Sequence, residues 1–320
     1  MASAPRQALG APAADTHRHG PGGGKRGPER AGMNPRLVRF DGFEGIHLVA
    51  DVWGDDRDWP VLLMHGGGQT RHAWGSTAEA LARSGWRAVS LDLRGHGDSE
   101  WVLSGDYSFT AYSADCLAVI DQLGRPPVLV GASLGGVTAL LAEGASDRVV
   151  SSGLVIVDIT HRPNPEGIRR IRDFMASGLE GFATLEEAAA AIAAYTPNRP
   201  RRVNPSGLMK VLRQRRDGRW YWHWDPRFIE GGRTEVPRPE FEALFHAAMG
   251  NVRVPTLLVR GRLSDVVTEE GVQEFLRRIP GAKVVDVGGA THMVAGDQND
   301  AFSRAVIDFL ERDVRPTLPG

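Results

Sequence analysis

At 320 residues, with 42% hydrophobic and 24% charged side chains, the chain is long enough to bury a full globular core as one large domain or two modest ones. The 38 basic and 39 acidic side chains leave a formal charge of −1, so neither nucleic acid nor an anionic membrane is an expected partner. One cysteine, Cys116, rules out a disulfide framework within the chain.

Residues 1–34 are rich in Ala, Gly, Pro and Arg and contain no apolar stretch of the kind a secretory signal needs. The segment reads as disordered, and the cytoplasm as the compartment. No run approaches the ~20 apolar residues of a membrane-spanning helix.

From Arg36 onward, short β-branched runs alternate with helical patterns, the signature of βα units feeding a mostly parallel sheet. Strands are expected at Leu37–Phe40, His47–Trp53, Val61–His65, Ala88–Leu93, Val128–Val130, Gly153–Asp158, Thr256–Arg260 and Lys283–Val287. A short turn-rich link between the first two suits an antiparallel start. Helices are expected to begin near Ala73, Ala111, Leu134, Glu269 and Asp300. Cys116 falls on the apolar side of the second of these, where a small core side chain fits.

The alternation breaks between Asp158 and Val254, a stretch too long for an ordinary loop. It carries an Ala-rich helix, Leu185–Ala194, and the run Trp220-Tyr221-Trp222-His223-Trp224. The expectation is a helical cap at 161–246 inserted into a core made of 35–160 and 247–314. Trp220, Trp222 and Trp224 would share one face of an extended segment and are candidates to line a substrate pocket, or else to pack the cap onto the core.

The sharpest local signal is Gly131-Ala132-Ser133-Leu134-Gly135, preceded by the apolar run Pro127-Val128-Leu129-Val130 and followed by a helix-compatible segment. Gly-x-Ser-x-Gly between strand and helix is a nucleophile elbow: small residues permit the tight turn, and the helix N-terminus favours developing negative charge. A serine hydroxyl needs a base oriented by a third group. His292, directly after the last expected strand, is the base. Asp265, between serine and histidine in chain order, is the preferred acid, with Asp158 at the end of its own strand as the rival. The amides of Gly67 and Leu134 are the expected oxyanion donors, and His65 is read as bracing its loop by a hydrogen bond rather than moving protons.

Other chemistries find less support. The glycines lack the Gly-x-Gly-x-x-Gly spacing of a dinucleotide loop, no P-loop lysine follows Gly66–Gly68, and no His-Glu-x-x-His or His-x-His-x-Asp-His pattern is present. No cofactor and no metal are expected.

Five segments together resemble the α/β-hydrolase superfamily, in its esterase, haloperoxidase and epoxide-hydrolase-like branch. They are His65-Gly66-Gly67-Gly68, the run from Leu91 through Arg94-Gly95-His96-Gly97 to Ser99, Gly131–Gly136, Gly261-Arg262-Leu263-Ser264-Asp265 and Gly289-Ala290-Thr291-His292. The resemblance implies an α/β-hydrolase fold, an eight-stranded, mostly parallel sheet flanked by helices with an inserted helical cap. Epoxide hydrolases and haloalkane dehalogenases of this type carry aspartate at the elbow, so Ser133 points to acyl chemistry. The expected activity is cleavage of a carboxylic ester or lactone of a small apolar or aromatic molecule through an acyl-enzyme. Perhydrolase and thioesterase activities are the alternatives, and a non-catalytic small-molecule binding protein is the alternative of another class. The oligomeric state is left open.

Overall fold

The computed structural model describes residues 7–8, 34–195, 205–230, 238–292 and 299–319. Eleven strands are β1 (Gln7–Ala8), β2 (Arg36–Asp41), β3 (His47–Trp53), β4 (Trp59–Met64), β5 (Trp86–Leu91), β6 (Val128–Ala132), β7 (Gly153–Val157), β8 (Leu212–Gln214), β9 (Trp220–Trp222), β10 (Thr256–Gly261) and β11 (Lys283–Val287). The helices that matter here are α1 (Gly75–Arg83), α2 (Phe109–Gln122), α3 (Leu134–Gly144), α4 (Pro165–Ala176), α5 (Leu185–Tyr195), α6 (Arg227–Glu230), α7 (Arg238–Asn251), α8 (Glu269–Arg278) and α9 (Asn299–Phe309).

Nine strands form one sheet in the order β1-β11-β10-β7-β6-β4-β5-β3-β2. β3 runs antiparallel to both β2 and β5, and the other pairings are parallel. All eight expected strands form. Gln7–Ala8 adds a two-residue edge against Val285 and Asp286, so this part of the N-terminal segment pairs instead of standing free. The rest of the segment expected to be disordered lies outside the described residues, except Asn34.

The central strands are buried on both faces, as a parallel sheet between two helical layers requires. Their period of two sorts neighbours to opposite sides. Leu62, Leu129 and Leu258 join one core with Cys116 and Val119 of α2, while Val61, Val128 and Leu257 join the other with Phe302 and Val306 of α9. No helix among the described residues is long and apolar enough to cross a membrane.

Between β7 and β10 the chain builds α4, α5, the β8–β9 hairpin, α6 and α7. The insertion is thus not wholly helical. Leu212 pairs with Trp222 and Gln214 with Trp220, because alternating bulky aromatics suit a pleated strand better than a helix.

Two glycines contrast a crowded with an open helix start: Gly135 in the first turn of α3, against the end of β4, and Gly75 at the start of α1. A Cβ on Gly135 would lie 2.3 Å from the Met64 carbonyl oxygen, backbone against backbone, whereas Gly75 is helical (φ −49°) and faces open space. Gly135→Ala is therefore expected to lower the melting temperature sharply, and Gly75→Ala to raise stability by roughly 0.5–1 kcal/mol. Thermal melts of the two variants check both signs.

Candidate active site

The loops after β4, β5, β6, β7, β10 and β11 meet at the carboxyl edge of the sheet, the usual location of a site in an open α/β fold. After β6 the chain turns at Ser133 with φ 48° and ψ −111°, a conformation that costs a non-glycine residue about 1–3 kcal/mol. Ser133 occupies the N-cap of α3, yet its side chain makes no capping bond, so the hydroxyl stays free for another partner. The turn is fixed by backbone bonds from Ser133 N–H to Val157 O (3.0 Å) and from Gly135 N–H to His65 O (3.1 Å). Its flanks must be glycine, since a Cβ at Gly131 would lie 2.1 Å from Gly135 O.

The loop after β4 runs alongside. A Cβ at Gly66 would sit 3.5 Å from Ser133 Cβ, and one at Gly67 would sit 4.0 Å from Leu134 Cδ2. Gly66 N–H donates to Gln69 Oε1 (3.0 Å) and Gly68 N–H to His96 Nε2 (3.1 Å). Among the described residues the amides of Gly67 and Leu134 have no acceptor, and these are the two donors anticipated for an oxyanion. Developing charge there would also meet the positive end of α3.

His65 and His96 brace this loop. His65 Nε2 accepts the Leu93 N–H (3.1 Å), so its Nδ1–H donates to Gly66 O (2.8 Å). His96 Nε2 accepts from Gly68, so its Nδ1–H donates to Arg94 O (2.9 Å). Each ring therefore carries one proton. Burial pushes His65 down from 6.5 to about 4 and His96 to about 3.

Of the two candidate acids, the structure brings Asp158 to the histidine. His292 Nδ1 donates to Asp158 Oδ2 at 2.7 Å, with Asp158 1% exposed. Asp158 follows β7, the neighbour of β6, and takes positive φ (52°), which aspartate tolerates better than most residues. Asp265 does not meet His292. Its carboxylate forms an ion pair with Arg170 of α4 (2.7 Å), and its backbone packs against Gly167, so the side chain turns outward beneath α4. One position earlier, Ser264 turns inward: its hydroxyl donates to Asp158 Oδ2 (2.5 Å), while Gly261 N–H donates to Asp158 Oδ1 (2.9 Å).

The inserted segment reaches the same edge. Phe228 of α6 lies over the oxyanion loop, 3.2 Å from where a Gly67 Cβ would be, and Met175 Cε of α4 lies 2.8 Å from that of Gly68. Neither residue carried a sequence signal; Phe228 has no periodic neighbours and Met175 reads as ordinary helix. Trp222 and Trp224, expected as pocket candidates, are buried. Trp222 packs edge-on against Phe174 and Phe182, and Trp224 edge-on against Phe228, one ring removed from the loop. Trp220 is half-buried and its backbone bridges Phe182.

The chain matches the model of the alpha/beta hydrolase family over residues 61–305. It is 30% identical over 297 residues to the esterase Rv0045c of Mycobacterium tuberculosis, covering 88% of this chain and 93% of that protein. The solved structure of that esterase superposes with a TM-score of 0.70 at 28% identity, covering 88% of this chain and 93% of that one. The chain is 29% identical over 279 residues to the 3-hydroxybutyrate-oligomer hydrolase of Cupriavidus necator, covering 82% of this chain and 94% of that protein. The crystal structure of E-2-(acetamidomethylene)succinate hydrolase shares the fold with a TM-score of 0.76 at 23% identity, over 87% of this chain and 99% of that one.

Two outcomes follow from this geometry. The unfolded chain protonates His65 and His96 below about pH 6.5, whereas the fold refuses those protons until about pH 4 or lower. Their contribution to stability is complete above 6.5 and falls as pH drops, so melting temperature should decline from pH 7 to pH 5. A flat profile in that window contradicts it. On substrate panels, Phe228→Ala should reorder kcat/KM among acyl groups, while Trp224→Ala should cost roughly 3–5 kcal/mol of stability and scale all substrates together.

Proposed function

The chain belongs to the alpha/beta hydrolase family, and on that premise we propose that it is a serine hydrolase that cleaves a carboxylic ester or lactone through an acyl-enzyme. The observation that carries the reading is the Asp158–His292 hydrogen bond, formed at the same sheet edge where Ser133 is held in its strained turn with a hydroxyl that makes no capping bond. Relatives named for ester hydrolysis support the reaction class.

In this mechanism the Ser133 hydroxyl attacks the carbonyl carbon while His292 Nε2 takes its proton. Asp158, hydrogen-bonded to Nδ1, keeps the imidazole in the tautomer that leaves Nε2 free to accept, and stabilises the imidazolium that forms. The amides of Gly67 and Leu134 receive the oxyanion. His292 then protonates the departing alcohol, and water attacks the acyl-enzyme by the same relay in reverse.

Phe228, Met175 and Leu134 give the acyl side an apolar wall, which favours an uncharged aliphatic or aryl acyl group over a charged one. Phe228 and Met175 covering Gly67 and Gly68 give the inserted segment, in this reading, the role of a cap over the oxyanion donors.

Turnover of p-nitrophenyl butyrate tests the assignment. Ser133→Ala should abolish the burst of nitrophenol and steady-state turnover, leaving only the residual rate of binding and the oxyanion hole. Asp158→Asn should lower kcat by roughly 10⁴-fold as the imidazole loses its tautomer. Asp265→Asn should leave kcat near wild type. Unchanged turnover in Ser133→Ala rejects the nucleophile; a larger loss in Asp265→Asn than in Asp158→Asn reverses the acid.

A further inference from the structure

The loop that holds Asp265 contributes to the site through a different residue. Asp158 accepts three hydrogen bonds: from His292 Nδ1 (2.7 Å) and Ser264 Oγ (2.5 Å), both at Oδ2, and from Gly261 N–H at Oδ1 (2.9 Å). The direction of the Ser264 bond is fixed by its surroundings. Ser264 Oγ accepts the amide protons of Val266 (3.1 Å) and Val267 (3.4 Å), which occupy its two acceptor positions. Its own proton is left to point at the carboxylate.

We propose that Ser264 is a positioning residue for the proposed reaction, a donor that fixes the rotamer of Asp158 and tempers the negative charge that Asp158 presents to His292. The proposal rests on the reading of Ser133, His292 and Asp158 as one catalytic unit. Three features of the structure support it. The Asp158 backbone sits at positive φ and gives the side chain little local guidance, so its orientation must come from outside partners. Those partners come from β10 and the loop after it, two strands from Ser133: Gly261 at Oδ1, and Ser264 at Oδ2, the oxygen that faces His292. Ser264 is in turn held by the loop's own amides, and α4 covers the loop through the Arg170–Asp265 ion pair and the Asn164 N–H bond to Val266 O (2.8 Å).

The consequences can be separated. Without the hydroxyl, Oδ2 keeps more of its charge for His292, the imidazolium is held more strongly, and the base stays protonated to higher pH. Without the hydroxyl the carboxylate also has one fewer restraint, so kcat falls while KM, set by contacts elsewhere, stays.

The test is kcat, KM and the pH profile of kcat/KM for Ser264→Ala, Ser264→Thr and Ser264→Cys, with p-nitrophenyl butyrate and active sites titrated with a serine-directed phosphonate. Ser264→Ala should lose roughly 10–100-fold in kcat, the size of a charge-assisted hydrogen bond, with the acid limb moved to higher pH. Ser264→Thr should restore both, and Ser264→Cys, a weaker donor, should fall between. Should Ser264→Ala fail to fold, the Thr and Cys variants still report the order. A loss confined to the titrated fraction, with unchanged kcat per site and unchanged acid limb, overturns the proposal by making Ser264 merely structural. Ser133→Ala and Asp158→Asn are measured in parallel: if they retain activity, the catalytic reading itself fails, whereas if they are dead and Ser264→Ala is wild type, this inference alone falls.

Discussion

The site depends on how closely the first turn of α3 approaches the loop after β4. Gly135 lies against the carbonyls of Met64 and His65 and donates its own amide to His65 O, leaving no room for a side chain. In the same turn Ser133 takes positive φ, and Leu134 Cδ2 lies 4.0 Å from where a Gly67 Cβ would be. The strain, about 1–3 kcal/mol, is sustained because β6 is buried on both sides and cannot relax without opening the core. With Gly66 and Gly68 already engaged by Gln69 and His96, the amides of Gly67 and Leu134 have no acceptor among the described residues and are the donors proposed for an oxyanion. Packing, rather than any special side chain, creates the electrostatic character of the site.

The segment from Leu91 to Ser99 stabilises this arrangement without joining the chemistry. Arg94, fully buried, pairs with Asp115 of α2 through Nε (2.5 Å) and Nη2 (2.8 Å), and Asp92 pairs with Arg71. Removing one partner of such a buried pair would strand the other charge, which is far more costly than losing both. Arg71 also meets Asp98 (2.8 Å), and Asp98 binds Arg213 of the inserted segment (2.9 Å). His96 connects the same segment to Gly68. A chain of charges and hydrogen bonds thus joins the oxyanion loop to the hairpin that carries Trp222.

Much of this was legible in the residues because it follows from local pattern. Short β-branched runs alternating with helical patterns located the eight long strands, and Gly131-Ala132-Ser133-Leu134-Gly135 placed the sharp turn between β6 and α3. His65 as a loop brace followed from its place beside three glycines. Which carboxylate meets His292 was not legible from order along the chain. Asp158 and Asp265 both end or follow strands, and the choice is made by which way a loop turns: Arg170 draws Asp265 outward while Ser264 faces in. That depends on α4, whose position over the loop is a tertiary fact. The same holds for Phe228 and Met175, which reach Gly67 and Gly68 only through the fold of the insertion. Trp222 and Trp224 were conspicuous by composition, yet large aromatic surface is as useful for packing as for binding, and both rings are buried against Phe174, Phe182 and Phe228.

The central claim is that Asp158 holds His292 Nδ1. Proton NMR of the imidazole N–H region measures it directly: a strongly deshielded exchangeable proton, bonded to nitrogen and assigned by a His292→Ala control, should be present in the wild type and in Asp265→Asn and absent in Asp158→Asn. Its survival in Asp158→Asn, or its loss in Asp265→Asn, would contradict the account.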